Sequence, residues 1–139
     1  YGLMLSALLS RDVPEVGVDE ARAMEEALFA DAREREKYDV SRIPGAVWVG
    51  YDTFEEEHLE GIEKDRPIVV YCSVGYRSEK ITRRLRENGF SQVYNLYGGI
   101  FEWVNREMPV EDAGGQTRKV HAYDRFWGQW LKRGEKVYE

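Results

Sequence analysis

A chain of 139 residues has room for one domain with a real hydrophobic core and little for a second. Its composition, 42% hydrophobic and 33% charged, excludes a disordered chain, and no segment repeats at a fixed period. A formal net charge of −6 argues against a nucleic-acid partner, because such binding rests on a basic surface that neutralises phosphates.

The first ten residues, "YGLMLSALLS", are apolar but far too short to span a bilayer, so they read as a short helix covering the domain rather than the remnant of a targeting segment. The chain starts at Tyr1 rather than methionine, which reads as a processed or partial chain. "DVPEV" then gives a short edge strand, because Pro14 has no N–H to donate to a ladder. Asp19 is placed to cap a helix over "EARAMEEA", and "LFADA" at 28–32 follows as a second strand.

"EREKYDV" reads as a charged half-turn, and in "IPGAVWVGY" Pro44 and Gly45 punctuate before Ala46 to Val49 enter the sheet. Thr53 and Glu56 form a capping box in front of a helix carrying Phe54, His58 and Ile62, with His58 a boundary residue on that face. "RPIVVYC" is the strongest strand, since an unbroken β-branched run suits a central parallel strand buried on both faces. The next helix puts Ser78, Ile81 and Leu85 on one stripe and stops at Gly89. Its arginines 83, 84 and 86 read as a solvated face. "QVYNLYGG" adds a strand and "IFEWVN" a last short helix, so strands alternate with helices in a parallel α/β sheet with right-handed crossovers. In the tail, "GGQ" is a turn and Phe126, Trp127, Trp130 and Leu131 form a helical face that docks on the domain.

The only cysteine, Cys72, excludes an internal disulfide and leans towards a reducing, cytoplasmic compartment. With His58 and His121 far apart and no second thiol, no zinc spacing exists, and neither a metal nor another cofactor is expected. Burial is the default for a lone cysteine. Cys72, however, ends the central strand, where ligands of open parallel sheets bind, and the loop "CSVGYR" delivers the chain into a helix N-terminus at Arg77. A glycine turn there can point backbone N–H groups inward, and the helix dipole adds partial positive charge. Such a cradle favours a thiolate that handles an anionic group, without saying which.

Four stretches together resemble the rhodanese family of sulfurtransferases: "DAREREKY" at 31–38, "RIPGA" at 42–46, "VVYCSVGYRS" at 69–78 and "NGFSQVYNLYGGIFEW" at 88–103. The resemblance implies a five-stranded parallel sheet flanked by helices on both faces, here with a C-terminal helical extension. Together with the helical readings of the two ends, it divides the chain into an N-terminal helical segment at 1–12, a rhodanese-like domain at 13–108 and an extension at 109–139 packed on it. It further implies that Cys72 takes sulfane sulfur from a small anionic donor such as thiosulfate, or from a persulfide that a protein partner can carry. Cys72 then passes that sulfur to cyanide or a thiol. The backbone of Ser73, Val74, Gly75, Tyr76 and Arg77 would cradle the sulfur, Arg77 would help draw the donor, and Asp31 and Arg33 would be a structural pair.

Loop length separates relatives, because family members acting as phosphatases or arsenate reductases have one more residue between cysteine and arginine. Residues 73–76 fit the smaller, sulfur-sized loop. Two positions depart from the family pattern. Arg42 stands where histidine is usual, adding charge at the domain's edge. Ser73 stands where efficient thiosulfate users carry a basic residue, which points away from thiosulfate as the physiological donor. A noncatalytic protein-binding module is the alternative, and the intact cysteine and arginine speak against it. Tyr76 is placed to shape access to the sulfur, Tyr71 alternates into the core, and His121 reads as a packed boundary residue.

Overall fold

The computed structural model describes residues 1–10, 12–52, 54, 56–122 and 131–138. Its centre is the strand that the sequence makes most apolar. Ile68, Val69, Val70 and Tyr71 have no solvent exposure, and their strand lies third in a five-stranded, all-parallel sheet.

In chain order the strands are β1 (Glu15–Val16), β2 (Leu28–Asp31), β3 (Val47–Trp48), β4 (Ile68–Tyr71) and β5 (Val93–Leu96). They are arranged β1-β5-β4-β2-β3. Asp31 pairs with Tyr71 across β2 and β4, and Val70 with Asn95 across β4 and β5, so Asp31, Tyr71 and Asn95 lie towards the carboxyl end of the sheet. β1 lies at the rim, as its proline implies, and Pro14 supplies only its carbonyl, to the Asn95 N–H at 2.8 Å.

Alternate residues of β4 enter opposite layers of the core, the period-two consequence of a pleated strand covered on both sides. Val69 and Tyr71 join Leu5 of α1 (Gly2–Leu8), Ala21 of α2 (Val18–Ala23) and Phe101 of α5 (Gly99–Asn105). Ile68 and Val70 join Ile81 and Leu85 of α4 (Tyr76–Glu87), with Phe54 and Leu59. Helices thus cover both faces of the sheet.

Several local expectations are corrected. Gly17, not Asp19, is the N-cap of α2, its N–H donating to Glu20 Oε1 at 3.3 Å; Asp19 sits inside the first turn, where a carboxylate suits the helix dipole. "EREKYDV" is not a half-turn but contains a helix, α3 (Arg35–Val40). It has no apolar stripe to announce it, and Lys37 is its buried residue. The segment after Phe54 is a short 3-10 helix, Glu56–Leu59, that buries Leu59 rather than a longer helix turning on Ile62. The expected capping box rests on Thr53, which lies outside the described residues. The arginines of α4 are partly spent within the molecule: Arg83 pairs with Asp12 at 2.5 Å, Arg84 lies over the Phe54 ring and Arg86 donates to Val93 O.

In the tail, β6 (Val110–Asp112) and β7 (Gly115–Thr117) form an antiparallel hairpin. β8 (Lys119–His121) and β9 (Glu135–Val137) form a separate parallel pair. The described part of the expected helical extension is therefore strands and turns; Phe126, Trp127 and Trp130 lie outside the described residues. Leu131 is described, is not helical and is fully buried, as are Val120 and Ala122 in the same core layer. Arg42 exchanges backbone hydrogen bonds with Glu111 at 2.9 Å each way and stacks its guanidinium over Tyr38, stitching the start of the tail to the domain.

Candidate functional site

β4 ends at Tyr71 and sets Cys72 at the carboxyl edge of the sheet, 3% exposed and free of any disulfide. Gly75 adopts a left-handed conformation, φ 110°, which lets four residues turn the chain into α4. The turn brings the Gly75 N–H to Cys72 Sγ at 3.1 Å, and the first helical turn brings the Ser78 hydroxyl to the same sulfur at 3.4 Å.

The loop is fixed from β5 and from α5. Asn95 Nδ2 donates to Gly75 O at 3.1 Å, and Asn95 Oδ1 accepts from Ser78 Oγ at 2.5 Å. From the start of α5, the Ile100 N–H donates to Cys72 O at 2.9 Å and the Phe101 N–H to Ser73 O at 3.1 Å. That approach requires Gly99: its φ is 62°, and a Cβ there would stand 2.5 Å from Cys72 O.

The thiol opens on a cavity of about 230 Å³. Cys72, Ser73, Val74, Tyr76 and Arg77 form the loop side, and Arg33 and Lys37 form the other. Tyr76 is 42% exposed, so this wall meets solvent. Among the loop residues singled out from the sequence, Gly75 contributes through its amide and the other five line the cavity.

The cations around the cavity are all tied to carboxylates. Lys37 Nζ lies 2.7 Å from Glu34 Oε1, and Arg77 Nη1 lies 2.9 Å from the same oxygen. The Lys37 hydrogen bond, followed by that of Arg77, outweighs partial burial and holds the Glu34 carboxyl down to about 2. Beneath them, buried Arg33 forms a two-point ion pair with Asp31, Nε to Oδ1 at 2.9 Å and Nη2 to Oδ2 at 2.6 Å. Burial alone would push the guanidinium down, but the Asp31 charge more than offsets it and keeps Arg33 protonated. The Tyr71 hydroxyl donates to Asp31 Oδ2 at 2.9 Å and accepts from the Ile43 N–H at 3.1 Å. Burial, then the Asp31 charge, pushes the Tyr71 phenol well up. Tyr71 is thus a core residue with its polar end in the network under the site.

His121, on β8, is 5% exposed; burial and then the charges of Lys37 and Arg33 push its imidazole below the usual value. His58 lies elsewhere, Nδ1 2.8 Å from Val49 O and its ring against Trp48. Among the described residues no group of three His, Cys, Asp or Glu side chains could hold a metal ion.

Sequence reasoning missed Glu34, Lys37, Asn95 and Gly99 as parts of the site, and placed Ser78 only on a core stripe. Ser78 carried a usable signal, since a hydroxyl in the first turn of the helix after the cysteine can fold back onto the sulfur. Lys37 had none without recognition of α3.

A thiol at the carboxyl edge of a parallel sheet, on a glycine turn that feeds a helix, defines the class of cysteine-loop α/β domains. Within that class the rhodanese-like domain profile matches residues 18–106, and the chain belongs to that family. It is 40% identical over 98 residues to the tRNA uridine(34) hydroxylase of Sodalis glossinidius, a match that covers 64% of this chain and 28% of that protein. The chain therefore spans under a third of that relative's length. Its structure is similar to that of a thiosulfate sulfurtransferase from Pseudomonas aeruginosa, with a TM-score of 0.67 and 25% identity, over 94% of this chain and 25% of the other. The rhodanese-like domain of an Anabaena protein shares the fold at a TM-score of 0.66 and 24% identity, over 71% of this chain and 79% of that domain.

Proposed function

We propose that the chain carries sulfane sulfur on Cys72. The observation that carries this reading is the pairing of Cys72 Sγ with two donors, the Gly75 N–H and the Ser78 hydroxyl, at the wall of a cavity edged by cations. Two donors on one sulfur suit a negatively charged nucleophile.

In the first half-reaction the Cys72 thiolate attacks the outer sulfur of the donor. The donor's S–S bond breaks, the Cys72 Sγ–S bond forms, and the leaving group departs as a thiolate, or as sulfite when the donor is thiosulfate. In the second, cyanide or an acceptor thiolate attacks the outer sulfur of the Cys72 persulfide. Thiocyanate or a new persulfide leaves and the Cys72 thiolate is restored. No resolving thiol is present in the chain to collapse the persulfide into an internal disulfide. The direct test is intact mass after treatment with thiosulfate or a persulfide, before and after cyanide, with Cys72→Ser in parallel. One sulfur gained on the wild type alone and removed by cyanide supports the reading; no gain from any donor ends it.

A second reading is favoured by the identity to the tRNA uridine(34) hydroxylase. In it, this chain is the cysteine-bearing part of a larger tRNA-modifying protein, and the RNA is held mainly by other parts, since a net charge of −6 suits phosphate poorly. Loss of hydroxylated uridine from the tRNA of cells carrying Cys72→Ser in the full-length gene would favour it; unchanged tRNA would count against it.

A further inference from the structure

Gly98 and Gly99 are consecutive glycines with positive φ, 82° and 62°, and they lead directly into the Ile100 and Phe101 amides that hold Cys72 O and Ser73 O. Glycine has the widest backbone freedom of any residue, so this junction needs holding from outside. The hold comes from the other end of the chain. The Tyr1 hydroxyl donates to Gly98 O at 2.6 Å, the same carbonyl that accepts the Glu102 N–H at 3.1 Å in the first turn of α5. The Tyr1 ring packs on Gly98, its Cε2 3.4 Å from where a Cβ would stand. Burial, then the charge of Glu102, pushes the phenol up, so the hydroxyl keeps its proton and stays a donor. The rest of the segment is anchored to the same site. Leu5 and Leu9 share a core layer with Val74 of the loop, and the Ser10 N–H donates to Glu79 Oε1 at 3.1 Å. Glu79, buried in the first turn of α4, donates its own N–H to Gly75 O at 3.3 Å. Residues 1–10 thus touch both helices that hold the Cys72 loop, although they precede the part of the chain that the family profile matches.

We propose that Tyr1 is a positioning residue for Cys72: its hydroxyl pins the glycine pair from which α5 holds the loop, so the segment ahead of the rhodanese-like domain sets how well the loop presents its donors to the sulfur. Tyr1 does not line the cavity, so it acts through Gly98 and Gly99 rather than on a substrate. Without the hydroxyl, Gly98 O keeps the Glu102 N–H but loses the Tyr1 tether, and the Gly98–Gly99 peptide is free to rotate. Rotation slackens the hydrogen bonds to Cys72 O and Ser73 O and lets the Gly75 N–H and the Ser78 hydroxyl drift from the sulfur, which leaves the thiolate less favoured. The consequence for sulfur transfer rests on the sulfur-carrying reading above; the consequence for the thiol does not.

The test compares wild type, Tyr1→Phe, which keeps the ring, and Ser6→Ala, which removes an exposed hydroxyl of α1 whose hydrogen bond goes to Gly2 O in the same helix. The first readouts need no sulfur chemistry. The pH profile of Cys72 alkylation by iodoacetamide is expected to move to higher pH in Tyr1→Phe, with the rate at neutral pH about threefold lower. Amide hydrogen exchange at Ile100 and Phe101 is expected to speed up about fivefold, the worth of one hydrogen bond. Ser6→Ala should change neither. The second readout is kcat/KM for sulfur loading from thiosulfate or the persulfide of 2-mercaptoethanol, expected to fall about threefold in Tyr1→Phe with both donors alike, because Tyr1 meets neither. Tyr1→Met, which keeps apolar bulk without a hydroxyl, repeats the comparison should Tyr1→Phe fold poorly. An unchanged alkylation profile, or an equal shift in Ser6→Ala, overturns the proposal. A shifted profile in a protein that loads no sulfur from either donor supports the positioning role and ends the sulfur-transfer reading.

Discussion

Ser78 Oγ stands 3.4 Å from Cys72 Sγ and carries one proton for two acceptors, the other being Asn95 Oδ1 at 2.5 Å. A thiolate draws that proton more strongly than a thiol does, because hydrogen bonds to charged acceptors are the stronger ones. In the proposed sulfur transfer the same hydroxyl would steady the attacking thiolate and fall back on Asn95 once the sulfur is capped. Ser78→Ala is expected to lower kcat/KM for sulfur loading about tenfold, the equivalent of one charge-assisted hydrogen bond of roughly 1.5 kcal/mol. It also leaves buried Asn95 Oδ1 short of a donor, a stability cost of about 1–2 kcal/mol. Kinetics and urea denaturation on the same variant separate the two effects, and unchanged loading would remove Ser78 from the mechanism.

Gly99 makes a different kind of contribution, since it has no side chain to act with. Its φ of 62° and the 2.5 Å that would separate a Cβ from Cys72 O leave no room for any other residue. Gly99→Ala must shift α5 or push the loop, breaking the hydrogen bonds from Ile100 and Phe101 to Cys72 O and Ser73 O. The expected result is a loss of about 2–4 kcal/mol by chemical denaturation, with sulfur loading reduced more steeply than the folded fraction. Wild-type loading in a stable Gly99→Ala protein would show that the loop does not depend on this contact.

The parts of the molecule that were legible in the sequence are those where local chemistry and the final environment agree. "IVVY" has to be buried on both faces, and it is the middle strand. The turn after it has to contain a glycine with positive φ, and Gly75 has one. The illegible parts depend on what arrives from far away in the chain. α3 forms on charged residues because Lys37 is buried against an ion-pair partner, a pattern that reads as solvent-exposed in isolation. Asn95 looks like one more polar position of a strand until β5 lies beside β4 and its amide meets both the loop and the helix. The tail's strands β8 and β9 are three residues each and are separated by a long stretch, so no local periodicity marks them.

The buried pair of Asp31 and Arg33 lies at the floor of the site. Asp31 accepts from Arg33 and from the Tyr71 hydroxyl, and Arg33 Nη2 also donates to Ser41 O at 2.6 Å. Arg33 Nη1 already makes no hydrogen bond among the described residues. Asp31→Asn keeps the shape but leaves a buried guanidinium without its counter-charge, and is expected to cost about 3–5 kcal/mol by urea unfolding. Asp31→Leu combined with Arg33→Met removes both charges and is expected to be milder than Asp31→Asn alone. If the single and double variants unfold at the same urea concentration, the unpaired charge is not what the single change exposes.

The two titrations near the cavity predict separate acid transitions. His121 has its pKa pushed below the ordinary 6.5 by burial and by Lys37 and Arg33, so in the folded state it stays neutral where the unfolded chain would take up a proton. Stability from this source is present above about pH 6.5 and falls as the pH drops from there towards the lower folded pKa. Glu34, held down to about 2 against an ordinary 4.5, stays ionised when the unfolded carboxyl begins to protonate. Its contribution is complete above pH 4.5 and is lost as the pH falls towards 2, in small measure because its side chain is 41% exposed and screened. Denaturation measured from pH 8 to pH 3 should therefore show a first decline below pH 6.5 that His121→Asn flattens, and a second below pH 4.5 that Glu34→Gln flattens while leaving the first in place. A His121→Asn protein whose stability still falls between pH 6.5 and pH 5 would assign that decline to another group.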